Sequence, residues 1–141
     1  MEIYSFKNDY SEGAHPTILQ KLVETNLTQT VGYGEDEFCD EARELIKKQL
    51  KKEAEIHFVS GGTQANLIVI SSILKPYESV IAAETGHIAV HETGAIEATG
   101  HKINTIATSD GKISAIQIEK VLKLHTDEHM VKTKMVYISN S

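Results

Sequence analysis

From residue 56 onward, short apolar runs alternate with helix-like stretches, and this alternation restricts the fold more than any other feature of the sequence. Residues 56–59, 80–82, 103–106 and 135–138 read as short buried strands. Between the first two, residues 65–74 are apolar at nearly every position, which predicts a helix covered on more than one side and ended by Pro76. Ser114 and Gln117 have the form of a capping box, opening a helix that buries Ile118, Val121 and Leu122. Strands separated by helices cannot close as hairpins, so they run parallel, and the expected class is α/β with a mostly parallel sheet.

The first 50 or so residues read as helical. Pro16 suits a first helical turn, with Leu19, Leu22 and Val23 on one face. After a loop at 28–36, Phe38, Ala42, Leu45, Ile46 and Leu50 recur at helical spacing, with a Glu44–Lys48 pair on the surface. The whole chain, 141 residues, is long enough for one domain with a hydrophobic core. A net charge of -6, with no run of Lys or Arg long enough to form a basic face, argues against a nucleic-acid partner. The apolar stretch 65–74 falls well short of the ~20 residues that a membrane span needs, so no membrane association is expected. Residues 2–10 lack the form of a secretory signal, and the single Cys39 cannot form an internal disulfide. A reducing, cytoplasmic setting is the expectation.

Three places carry residues suited to chemistry. The first is Ser60-Gly61-Gly62-Thr63, between a strand and a helix. Unpaired N–H groups at a helix start, with the positive end of the dipole, form an anion site, and glycines let a ligand approach the backbone. The competing reading is a tight turn that simply needs glycine. The second is Glu84-Thr85-Gly86-His87-Ile88-Ala89-Val90-His91-Glu92, at the carboxyl edge of a strand, where open α/β sheets place their ligands. His87 and His91 share one face of a helix, but the H-E-x-x-H order is absent and no third ligand is placed, so no metal is expected. His125 and His129 repeat the spacing in what reads as a solvated loop. His15 and His101 read as surface residues, and His57 as lying on the other sheet face. The third place is Gly32-Tyr33-Gly34-Glu35-Asp36, whose acids favour the start of the following helix. Cys39, in that helix, has no base placed to activate it and reads as a structural thiol.

Taken together with Asn8-Asp9-Tyr10-Ser11-Glu12-Gly13-Ala14-His15-Pro16 and the run Gly61-Gly62-Thr63-Gln64-Ala65-Asn66, these segments occur in the order and spacing of a known family. The chain resembles the low-specificity L-threonine aldolases of the aldolase and β-eliminating lyase group, fold type I pyridoxal 5'-phosphate (PLP) enzymes, from Met1 to Ser141. The resemblance implies a three-layer α/β/α large domain with a mostly parallel sheet. It implies that amides at Gly61, Gly62 and Thr63 hold the PLP phosphate. The imidazole of His87 would stack on the cofactor ring, near the β-hydroxyl whose proton must leave. Asn8 would line the pocket for the substrate carboxylate, Tyr33 would reach a site in a neighbouring subunit, and His91, where many relatives carry an aromatic residue, would stand near the substrate. The implied reaction is reversible retro-aldol cleavage of threonine or allo-threonine to glycine and acetaldehyde, in a homodimer or homotetramer.

The family's Schiff-base lysine and its Asp-Gly-Ala-Arg motif find no counterpart among these 141 residues. The expectation is therefore an N-terminal portion of the large domain, without the rest of that domain or the small C-terminal domain, and inactive alone. A β-eliminating PLP lyase, or a non-catalytic remnant or assembly subunit that binds an anion, are the alternatives.

Overall fold

The computed structural model describes residues 5–8 and 10–139, which form two compact units divided after Phe58. The first unit holds α1 (Pro16–Thr25) and α2 (Glu37–Leu50). Pro16 occupies the first turn of α1, and the exposed His15 caps it, its Nδ1 accepting from the Thr17 N–H at 3.3 Å. Asp36 caps α2 by accepting from the Cys39 N–H at 2.9 Å. The surface pair on α2 is Glu44 with Lys47 at 3.5 Å, one residue earlier than the expected Lys48.

Residues 56–59 do not form the expected strand, and His57 accordingly lies exposed rather than on a sheet face. Apolar alternation makes a strand only where a neighbour completes the ladder, and among the described residues this segment pairs with none. A side chain holds its end in the first unit instead. Arg43 donates through Nε to the Ile56 carbonyl at 3.3 Å and stacks its guanidinium 5.6 Å from the Phe58 ring centroid.

The second unit runs α3 (Gly62–Ile73), β1 (Glu78–Ala83), α4 (His87–Val90), α5 (Ala95–Ala98), β2 (Ile103–Ile106), α6 (Ala115–Leu124) and β3 (Lys132–Val136). The three strands make a parallel sheet in the order β2-β1-β3, the α/β class expected. The last strand begins three residues earlier than the apolar pattern indicates and ends at Val136, because Lys132, Thr133 and Lys134 add no apolar signal while still filling the ladder.

Both faces of β1 are buried. Val80 and Ala82 face Ile70 of α3 and the Leu74 that follows it, Ile88 of α4 and Ile96 of α5. On the other face, Ser79, Asn104 and Thr133 form a buried polar cluster across all three strands. Asn104 Nδ2 donates to Ser79 Oγ at 2.9 Å and to Thr133 Oγ1 at 3.1 Å. Polar groups taken out of water need such partners, and these three meet only in one strand register. The β1–β3 register then shifts by one residue, Ser79 pairing with Thr133 but Val80 with Met135, so Lys134 is the extra residue of a bulge. The bulge reverses the facing of the strand: Thr133 joins the polar cluster, whereas Met135 and Tyr137 pack against the apolar core.

Three burial expectations change. His101 is buried, not superficial: its Nδ1 bonds the Glu78 carbonyl at 3.1 Å beside the start of β2. Helix α3 packs one face only, through Ile70 and the following Leu74, while Ile68, Val69 and Ile73 stay exposed. In α6 the capping box is present as expected, but Leu122 is exposed, leaving Ile118 and Val121 half-buried. Among the described residues, no helix is long and apolar enough to cross a membrane.

Ile96 is fully buried in the core, and Ile116 on α6 is 67% exposed. Ile96→Ala is expected to lower stability by about 2–4 kcal/mol in urea denaturation. Ile116→Ala is expected to change it by no more than about 0.5 kcal/mol. Equal effects would mean that the packing described here is wrong.

Candidate cofactor site

At the carboxyl ends of β1 and β3, facing the start of α3, lies a cleft of about 390 Å³ lined by Gly62, Ala65, Asn66, His87, Tyr137, Ile138 and Ser139. Its position follows from the parallel sheet, whose strands all deliver their carboxyl ends to one edge. One wall is the first turn of α3. The N-cap residue Gly61 supplies no capping side chain, so the leading amides of the helix have no intrahelical partner. Gln64 reaches back to Ser60, its Oε1 accepting from the Ser60 N–H at 2.7 Å and from the hydroxyl at 2.9 Å, which leaves the Gly62 and Thr63 amides unblocked.

The fold does not require glycine at either position of this turn. Gly61 has extended backbone at φ 171, and a Cβ built at Gly61 or Gly62 would meet nothing within 4 Å. Neither position is therefore a turn that needs glycine for steric reasons, and the space over the amides is open. Gly86 is the opposite case, since a Cβ there would lie 2.9 Å from the Ala83 carbonyl oxygen. Glycine at 86 lets the chain turn sharply off β1 and into α4, which begins with His87.

His87 forms the facing wall. Its backbone N–H donates to Ser139 Oγ at 3.1 Å, and its ring Nδ1 stands 2.9 Å from Glu92 Oε1. The Glu92 side chain is completely buried, whereas that of His87 is 46% exposed. Asn66 Nδ2 on α3 donates to the same Glu92 oxygen at 2.6 Å and lies 3.5 Å from the Tyr137 hydroxyl. Glu92 Oε2 is buried with no hydrogen-bond partner among the described residues. A single carboxylate thus joins the helix that forms one wall to the histidine on the other.

Of the residues singled out in the sequence, Gly62 and His87 line the cleft, and Gly61 and Thr63 flank it on the same turn. His91 lies beside His87, ring centroids 5.5 Å apart and planes tilted by 53°. Helix α4 is a single turn, and the His87 Nδ1 is engaged by Glu92, so the two rings are not arranged as a ligand pair. Asn8 and Tyr33 belong to the first unit. The Asn8 Oδ1 accepts from the Tyr10 N–H at 3.1 Å and the Ser11 hydroxyl at 2.7 Å. Tyr33 has left-handed backbone, φ 64, and a fully exposed ring. Arg43 holds that loop by donating to the Gly34 carbonyl. Left-handed backbone is costly for a tyrosine, so the loop displays its ring to the outside at the expense of local strain.

Glu92, Asn66, Tyr137 and Arg43 were not singled out as site residues in the sequence. Glu92 and Asn66 lay within motifs but carried no recognisable spacing, because their partners are 26 residues apart. His125 and His129 do not combine either: His125 Nδ1 bonds the Val121 carbonyl at 2.8 Å, and His129 Nδ1 bonds Asp127 at 2.7 Å in an exposed loop.

The β-eliminating lyase family model matches residues 9–141. The chain belongs to that family. It is 30% identical over 138 residues to a low specificity L-threonine aldolase of Pseudomonas sp. (strain NCIMB 10558), covering 96% of this chain and 40% of that protein. The low specificity L-threonine aldolase of Pseudomonas aeruginosa is 27% identical over the same shares of the two chains. A solved structure of Leishmania major threonine aldolase matches with a TM-score of 0.91 at 53% identity, covering 98% of this chain and 41% of that one. The chain therefore spans about 40% of the length of the relatives it matches. With these likenesses the α/β fold is that of the fold type I large domain. The threonine aldolase family is PLP-dependent, and the residues present suit that group: open amides for a phosphate, a half-exposed imidazole for a ring.

Cys39 is not part of the cleft. Its hydrogen bond to the Asp36 carboxylate raises the thiol above its ordinary pKa, and the same bond holds the Asp36 carboxyl below its own, aided by the Cys39 amide. Alkylation of Cys39 near neutral pH is expected to be slower than that of free cysteine and to accelerate in Asp36→Asn. Because the Asp36 pKa is depressed in the folded chain, its contribution to capping α2 is present above the unfolded value and is lost as pH falls through the folded one. A thiol that reacts at the same rate in both proteins would contradict this pairing.

Proposed function

We propose that this chain supplies the phosphate cradle and the ring-stacking histidine of a PLP-dependent threonine aldolase, which cleaves threonine or allo-threonine reversibly to glycine and acetaldehyde. One observation carries the reading. The unblocked amides of an α3 turn that does not itself need glycine face the half-exposed imidazole of His87 across a single cleft. The threonine aldolase relatives in Pseudomonas and Leishmania major support the choice of reaction.

In this reading the amides at Gly61, Gly62 and Thr63 bind the phosphate with the positive end of the α3 dipole behind them. The planar imidazole of His87 lies against the cofactor ring and takes the proton of the substrate β-hydroxyl as the Cα–Cβ bond breaks. PLP, when bound, supplies the electron sink for the pair left on the α-carbon. Asn8 is assigned to the substrate carboxylate and His91 to the substrate side of His87. The exposed Tyr33 is assigned to the site of a neighbouring subunit, which makes the working form a homodimer or homotetramer. The exposed Ile68, Val69 and Ile73 of α3 offer apolar surface for such association. Among the described residues no lysine lines the cleft, and none of the chain's lysines sits in the family's lysine context, so the 141 residues alone are assigned no turnover.

Phosphate titration followed by amide NMR tests the cradle. Shifts concentrated at residues 61–65 are expected, with weak affinity in roughly the millimolar range, because one helix end provides few donors. Gly62→Val should abolish the shifts while leaving the fold intact, since its side chain would occupy open space. His87→Ala should spare phosphate and weaken PLP. Unmoved amides in the folded wild-type chain would rule out a phosphate cradle at this turn.

A further inference from the structure

The Glu92 carboxylate takes no part in the proposed reaction, yet its burial is complete and Asn66 Nδ2 and His87 Nδ1 converge on one of its oxygens. We propose that Glu92 is a positioning residue that holds neutral His87 as the Nδ1–H tautomer, so that Nε2 is the atom that receives the substrate proton. The inference rests on the proton-transfer role proposed for His87 and adds which nitrogen performs it and what holds it there.

Hydrogen counting around one oxygen leads to this assignment. An amide nitrogen only donates, so Glu92 Oε1 accepts from Asn66 Nδ2 at 2.6 Å, and an ionised carboxylate has no hydrogen of its own to offer. The 2.9 Å contact from His87 to that oxygen must then take its hydrogen from Nδ1. A neutral imidazole has one N–H, and with it at Nδ1 the lone pair is at Nε2. No described residue bonds Nε2, and the ring lines the open cleft. The proton that leaves the substrate oxygen can therefore bind Nε2 while the Nδ1 proton stays in place. The imidazolium so formed lies 2.9 Å from a carboxylate withdrawn from solvent, whose charge stabilises it.

Two further features fit a positioning role and not mere packing. Glu92 Oε2 is buried without a partner among the described residues, a cost that an apolar residue of similar size would avoid. The partner that steadies the carboxylate, Asn66, comes from α3, one turn after Gly62, so the imidazole is referenced to the same helix that forms the phosphate cradle.

The test is two-bond ¹H–¹⁵N correlation spectroscopy of the chain labelled with ¹⁵N-histidine, at a pH where His87 is neutral, its signals being identified by their loss in His87→Asn. The wild-type chain should show a protonated Nδ1 and an unprotonated Nε2. Glu92→Gln keeps an acceptor oxygen and should retain that tautomer, whereas Glu92→Leu should give a mixture of both. A wild-type His87 with its proton on Nε2, or an unchanged tautomer in folded Glu92→Leu, overturns the proposal. If Glu92→Leu does not fold, the wild-type spectrum decides. These spectra need no cofactor, so failure here is separable from failure of the proposed function. A Nδ1–H His87 in a chain that binds no PLP keeps the pairing and removes the aldolase reading. A Nε2–H His87 in a chain that does bind PLP removes the pairing alone.

Discussion

The interaction on which the site depends is the convergence of Asn66 and His87 on one oxygen of Glu92. A carboxylate removed from water is destabilising unless donors replace its hydration, so its surroundings tolerate few arrangements. Here the donors come from α3 and from the start of α4, two elements that the chain places 21 residues apart from Asn66 to His87. With Glu92 Oε1 bonded to both, the α3 helix and the imidazole are tied to one group before any ligand arrives. Such prior placement is the main contribution a protein makes to cofactor chemistry.

The sheet makes that convergence possible. Parallel strands bring the exits of β1 and β3 to the same edge, where Gly86 turns the chain into α4 and Tyr137 and Ser139 complete the cleft. The buried Ser79–Asn104–Thr133 cluster sets the strand register, and the bulge at Lys134 then turns Tyr137 toward α3. Without that extra residue, simple alternation would put Thr133, Met135 and Tyr137 on one face, and Asn66 would lose its contact with the Tyr137 hydroxyl. A feature that looks like a local irregularity in the ladder is thus part of how the site is assembled.

How much of this was legible in the sequence depended on whether the signal was local. The helix starts at Pro16, Asp36 and Ser114 were readable because capping chemistry acts within three residues. The glycine pair at 61 and 62 and the histidine after Gly86 were readable because each follows an apolar run at a strand or strand-like edge. The strand at 56–59 failed because alternation reports burial pattern and not the presence of a pairing neighbour. His101 was misplaced because its partner, the Glu78 carbonyl, lies 23 residues away in another strand. Glu92 stood in plain view beside His91, yet nothing local distinguishes a buried acid from a surface one. Its role emerges only when Asn66 and His87 are brought to it.

In the proposed function the α3 turn and the His87 imidazole belong to one PLP pocket. The most direct measurement is an intermolecular nuclear Overhauser experiment on the labelled chain with PLP added. Contacts between the pyridine-ring protons and the ring protons of His87 are expected, accompanied by shifts of the Gly62 and Thr63 amides. Ring contacts to residues of another surface, with the amides of the α3 turn unmoved while the chain is folded, would contradict a shared pocket.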